Sequence, residues 1–147
     1  MRITLRQKFS LATLPASRFN FSVKITLENA IYIDEIREYC LTKPGVTEDF
    51  PFDDEVLAFR VIDKIFALVN VEKQPSFVNL KCDPERAVEL RERYPSVKPG
   101  YHMNKRHWNS VYVDGGFSQE ELRKWIDHSY ELVVKNLKKA DREKLQL

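Results

Sequence analysis

Residues 55–81 read EVLAFRVIDKIFALVNVEKQPSFVNLK. Two apolar runs, 55–62 and 65–71, meet at Asp63-Lys64, which is hairpin spacing, and Asp tolerates the backbone of a tight turn. After Gln74-Pro75-Ser76 a third run, 77–81, completes a three-strand meander. Strands joined by connections this short are antiparallel neighbours.

The flanks are helical. Ile33, Ile36, Tyr39 and Cys40 recur at helical spacing, with Asp34, Glu35, Arg37 and Glu38 on the outside. This predicts a helix over 30–41, capped by Asn29 or Thr26 and stopped by Lys43-Pro44-Gly45. The stretch 46–54, acidic and containing Phe50-Pro51-Phe52, reads as a loop. Beyond the meander, Asp83 caps a second helix whose first position is Pro84, where a missing N–H costs nothing. Ala87, Leu90 and Tyr94 face inward on it, and Pro95 ends it. Residues 97–101 and 107–113 read as two further strands, the second with period-two alternation. Ser118-Gln119-Glu120-Glu121 is a capping box for a final helix, along which Leu122, Trp125, Ile126, Tyr130, Val133 and Leu137 form an apolar stripe. The sum is an α+β fold: a single antiparallel β-sheet of about five strands covered on one face by helices. The other face is left to solvent or to a partner.

At 147 residues, with 43% apolar and 31% charged residues, the chain is of a size and composition for one globular domain. Cys40 and Cys82 lie too far apart for a CxxC motif or a disulfide framework, and a reducing cytoplasm is expected. No apolar run approaches the roughly 18 residues of a membrane span. Charge is unevenly spread. Residues 1–28 hold five bases (Arg2, Arg6, Lys8, Arg18, Lys24) against Glu28, a net of +4; the whole chain carries +2, so the remainder is −2. That stretch lacks a clear period and reads as an N-terminal extension outside the domain, which then occupies 29–147.

Within the slightly acidic remainder, no Asp or Glu occurs between Tyr94 and Val113. Lys98, Tyr101, His102, Asn104, Lys105, Arg106, His107 and Trp108 all fall in this window. Lys and Arg neutralise phosphates, Asn and His hydrogen-bond to phosphate or base edges, and Tyr or Trp can stack on bases. A structural reading stands beside this one: Tyr101 and Trp108 as core aromatics, Asn104 and Asn109 as holders of turns.

Four segments, EYCLTKPGVTEDFPF (38–52), NLKCDPE (79–85), PGYHMNKRHWN (99–109) and DHSYELV (127–133), resemble the MmcQ/YjbR family in order and spacing. The resemblance runs from about Ala30 to the C-terminus. It implies a small bacterial protein of frataxin-like (CyaY-like) α+β fold that binds DNA through paired hairpin wings. One departure is visible: where the family has a Gly-rich turn between the first two strands, Ile62-Asp63-Lys64 stands, and Asp63 offsets the charge of Lys64.

Other chemistry has weaker support. His102 and His107 lack a nearby carboxylate or thiol and are poorly spaced for zinc. The acids Glu48, Asp49, Asp53, Asp54 and Glu55, with Asp34 and Glu38, read as a solvated set, so no metal is expected. Cys40 sits on a buried stripe, where a thiol is inert. Cys82 precedes a helix N-terminus, which lowers a thiol pKa, but has no histidine near it in sequence; His128 reads as a surface residue beside Lys124, Glu131 and Lys135. No P-loop, GxGxxG or Ser-centred elbow is present. The expectation is therefore a non-catalytic binding protein without a cofactor. Its partner is DNA, contacted through Lys98, His102, Asn104, Lys105, Arg106, His107 and Trp108. The alternative is a protein-interaction adaptor using the acidic 48–55 loop or the exposed sheet face.

Overall fold

The structure, a computed structural model, describes residues 23–73 and 75–146, with side chains from Tyr32 onward. Ten elements follow one another: α1 (Val23–Leu41), β1 (Val46–Asp49), β2 (Val56–Val61), β3 (Lys64–Asn70), β4 (Phe77–Lys81), α2 (Pro84–Arg93), β5 (Val97–Pro99), β6 (Trp108–Tyr112), α3 (Gln119–Lys135) and α4 (Lys139–Lys144). The strands form one sheet in the order β1-β2-β3-β4-β6-β5, every neighbouring pair antiparallel. The α+β architecture expected from the meander is present, with six strands where about five were read.

The added strand is β1. V-T-E-D reads as loop by composition, yet Val46 to Asp49 pair in register with Val61 to Ala58. Its acids are neutralised by bases distant in sequence. Glu48 accepts Arg37 Nε at 2.8 Å and Nη2 at 2.6 Å, and Asp49 accepts Arg60 Nε at 2.8 Å. Charged side chains are suited to an edge strand such as this one. Gly45 leads into it at φ 71°, and a Cβ there would collide with Leu145 Cδ2.

Helix α1 begins at Val23, so Thr26 and Asn29 lie inside it and not at its cap; no Pro or Gly interrupts that tract. Of the expected extension, residues 1–22 fall outside the described residues, as does Gln74 of the 74–76 turn. The caps of the other two long helices are those read from the sequence. Asp83 accepts from the N–H groups of Glu85 and Arg86, and Ser118 and Glu121 close a reciprocal capping box.

Side-chain alternation gives the sheet two unlike faces. Leu57, Phe59, Ala67, Val69, Val78, Leu80, Val97 and Val111 form the core with the helices, and the five stripe residues on α3, with Leu137 just beyond its end, are buried there. Burial of this kind stabilises by about 1.5–3 kcal/mol for each large apolar side chain. Trp125 is held between Tyr94 and Phe117, with ring centroids 5.0 and 5.3 Å away. Among the described residues the opposite face carries no helix, yet Phe77, Asn79 and Ser110 on it are buried, because the loop between β5 and β6 folds over them.

The β2–β3 connection is a tight turn with φ 54° at Ile62 and 136° at Asp63. Both central residues of such a hairpin turn need positive φ, which suits Gly and strains a β-branched side chain. Ile62 is held by packing on the core, and Arg60 Nη1 donates to the Asp63 carbonyl at 3.1 Å. Asp63 is exposed and has no such compensation in its side chain. Asp63→Gly is expected to raise stability by about 1 kcal/mol, read as a higher urea midpoint at unchanged slope. A lower midpoint would contradict the strain assignment.

Candidate nucleic-acid interface

The acid-free window folds as the β5–β6 hairpin with a long, internally bonded loop. Gly100 N–H donates to the Trp108 carbonyl at 2.9 Å, and a Cβ on Gly100 would lie 2.8 Å from Trp108 Cβ, so only glycine permits this approach. Met103 N–H donates to the Gly100 carbonyl at 3.2 Å. Asn104 then organises the return. Its carbonyl accepts from His107 N and Trp108 N, and its Oδ1 accepts from Arg106 N at 2.9 Å, an Asx turn. Lys105 Nζ folds back onto the Gly100 carbonyl at 3.0 Å.

Two adjacent residues of β6 pin this loop from opposite sides. On the helix-free face, Ser110 hydroxyl donates to Asn79 Oδ1, its cross-strand partner, and accepts from Tyr101 N at 2.8 Å. Asn79 Nδ2 completes the triangle to the Tyr101 carbonyl at 3.4 Å. The Tyr101 ring meets Phe77 edge-on at 5.7 Å, and Lys73 Nζ lies 4.1 Å above that ring and 2.9 Å from its hydroxyl. On the helical face, buried Asn109 accepts from Arg91 Nε at 2.7 Å and donates to the Ala87 carbonyl at 3.4 Å. Arg91 also donates to the carbonyls of Lys105 and Trp108, so α2 supports the loop from behind.

All seven residues expected to contact nucleic acid therefore lie on one hairpin. Lys98, His102, Asn104, Lys105, Arg106 and His107 are exposed, and Trp108 is half-buried. The His102 ring packs against Tyr101 at 4.0 Å with its backbone at φ 55°. Among the described residues, none of Lys98, Lys105 and Arg106 takes part in an ion pair. Tyr101 is exposed at 41% and is not a core aromatic, while Asn104 and Asn109 do hold the chain's turn and packing. At the mouth of the loop, Asn104, His107 and Trp108 line a groove of about 290 Å³ together with Lys81, the cross-strand partner of Trp108, and with Asp83, Leu132 and Asn136.

Sequence reasoning missed Lys73, Lys81 and Arg91 as neighbours of this loop. Only Asn79, a polar residue inside an apolar strand, carried a visible signal. The register also places the β2–β3 turn and the β5–β6 loop at the same end of the sheet, since Val61 pairs with Lys64 and Lys81 with Trp108. In the strand order they are three spacings apart, roughly 14 Å.

Other candidates resolve differently. Burial pushes the Cys40 thiol well up, and raises that of Cys82 to about 11, so the helix N-terminus does not activate it. The expected surface position of His128 is corrected: it is partly buried, and its Nε2 accepts the Asp83 N–H at 3.1 Å. The nearest helix N-terminus drew it inward, a contact across 45 residues. Of the acidic set, Glu48 and Asp49 are paired with arginines, and Asp53 Oδ1 accepts from the N–H groups of Glu55 and Val56.

Burial lowers the pKa of His128 below its ordinary 6.5, so the charged ring is disfavoured in the folded state. Its contribution to stability is then whole above pH 6.5 and lost as pH falls below that value. His128→Gln, which keeps an acceptor but does not titrate, is expected to show a smaller drop in Tm between pH 7 and pH 5 than the parent chain. Ser110→Ala leaves Asn79 Oδ1 and Tyr101 N without their partner. The expected cost is about 1–3 kcal/mol, with faster hydrogen exchange at the Tyr101 amide.

Comparison with known proteins is consistent in one direction. The YjbR family model matches residues 41–132. The chain is 40% identical to the uncharacterised protein YbdF of Escherichia coli O157:H7 over 110 residues, 75% of this chain and 90% of that one. It is 38% identical to the uncharacterised protein YjbR of Escherichia coli K12 over 114 residues, covering 77% and 95%. Among solved structures it is similar to Deinococcus radiodurans protein DR2400, a DUF419 domain, with TM-score 0.72, 41% identity and coverage of 78% and 88%. With a family match over most of the chain and relatives matched along nearly their full length, this protein belongs to the YjbR family.

Proposed function

We propose that the chain is a non-catalytic binding protein, cytoplasmic in location, whose partner is DNA, contacted through residues 98–108. The observation that carries this reading is the charge state of the loop. Lys98, Lys105 and Arg106 are exposed, lie in a stretch without acids, and form no ion pair among the described residues. Acids elsewhere, Glu48 and Asp49, are matched by arginines. A loop already fixed by its own hydrogen bonds loses little conformational freedom on binding, which favours affinity. The shared end of the sheet occupied by the two hairpin tips fits the paired-wing arrangement implied by the family, within the frataxin-like fold that the same resemblance suggests. The β2–β3 tip contributes Lys64 with Asp63 beside it, so most phosphate contact falls to the β5–β6 loop. No helix among the described residues is long and apolar enough to cross a membrane.

The adaptor reading draws less support, since Glu48, Asp49 and Asp53 are engaged within the fold and Tyr101 covers part of the helix-free face. The test is binding of a labelled duplex at about 50 mM salt. Three cationic contacts predict a log K against log salt slope of about −3, reduced to about −1 in the Lys98→Ala/Arg106→Ala double variant. Lys105 is left in place because its ammonium braces the loop. Absence of binding to duplex, single-stranded DNA and RNA at that salt would end the nucleic-acid reading.

A further inference from the structure

The groove beside the loop has a composition that phosphate binding alone does not use. Trp108 and Leu132 supply apolar surface to its lining, and His107 and Lys81 supply a ring and a cation. The two amides in its lining are complementary in their remaining capacity. Asn104 has its Oδ1 occupied by Arg106 N, leaving its Nδ2 as a donor. Asn136 donates Nδ2 to the Leu132 carbonyl at 3.0 Å, leaving its Oδ1 as an acceptor. Asp83, also in the lining, is already occupied as the cap of α2.

A donor and an acceptor beside a partly exposed indole are what the edge and face of a nucleobase require. The volume, about 290 Å³, lies at the lower end of the range for small-molecule sites, which suits one ring system and not an extended ligand. A base within a duplex is stacked on both sides and does not reach such a groove, whereas an unpaired base does. We propose that this groove receives one unpaired nucleobase of a single-stranded segment, stacked on Trp108 and read by Asn104 and Asn136, while Lys98 and Arg106 hold neighbouring phosphates. This rests on the nucleic-acid reading above and adds to it a preference for unpaired strand.

Anisotropy with three labelled oligonucleotides of one length separates the possibilities: duplex, single strand, and a single strand with abasic positions. Single strand is expected to bind the parent chain on the order of tenfold more tightly than either of the others. It is also expected to quench the fluorescence of Trp108, Trp125 being buried. Trp108→Ala should erase the difference between intact and abasic single strands, and Trp108→Phe should keep most of it. Equal binding of intact and abasic strands by the parent chain overturns the base site and leaves the nucleic-acid reading standing; absence of all binding overturns both. A free nucleoside monophosphate that binds as tightly as the strand overturns the assignment to single-stranded nucleic acid.

Discussion

The shape of the β5–β6 loop depends on one pair of neighbouring residues, Asn109 and Ser110 in β6. Because consecutive side chains of a strand point to opposite faces, these two place a polar group in the helical core and another under the helix-free face. Neither position is tenable without partners, since a buried polar group left unbonded costs the full loss of its hydration. The partners supplied are Arg91 from α2 on one side and Asn79 with the Tyr101 backbone on the other. No described buried side-chain nitrogen or oxygen is left without a hydrogen bond. The loop is thereby clamped from both faces of the sheet, and its shape is decided by groups that never reach solvent.

This divides the acid-free stretch into two kinds of residue. Gly100, Asn104 and Asn109 set the backbone, and Arg91 braces it from outside the stretch. Lys98, His102, Arg106 and His107 are what that backbone displays. The division explains why a run rich in exposed charge sits so firmly on the fold. It also separates two effects of substitution, one on the shape of the hairpin and the other on the charge it presents.

Much of this was legible in the sequence because it is local. The stripe of α3 and the Asp83 and Ser118 caps follow from spacing along a single helix, and the structure has them as read; the β2–β3 hairpin forms too, with its turn at Ile62-Asp63, one residue before the expected Asp63-Lys64. What escaped was non-local. β1 looks like an acidic loop until Arg37 and Arg60 arrive to neutralise it, each from 11 residues away. His128 looks solvated until the fold brings Asp83 to it. Arg91 is one of two basic residues in the last turn of α2, and nothing nearby in sequence marks it as the support of a loop that begins nine residues later. The seven residues expected at the site do share one hairpin, but the second row that holds them was invisible to periodicity.

The two margins of the sheet bear on association with other chains. An open sheet offers unpaired backbone groups along its outer strands, and a long flat margin invites a further strand to join. Here one margin is β5, three residues ending in Pro99, which has no N–H to give. The other is β1, four residues whose acids are tied down by arginines. Neither margin offers the length over which a growing fibril or a swapped strand would take hold. Among the described residues the sheet is therefore finite by construction, ended on each side by the brevity of its outer strand.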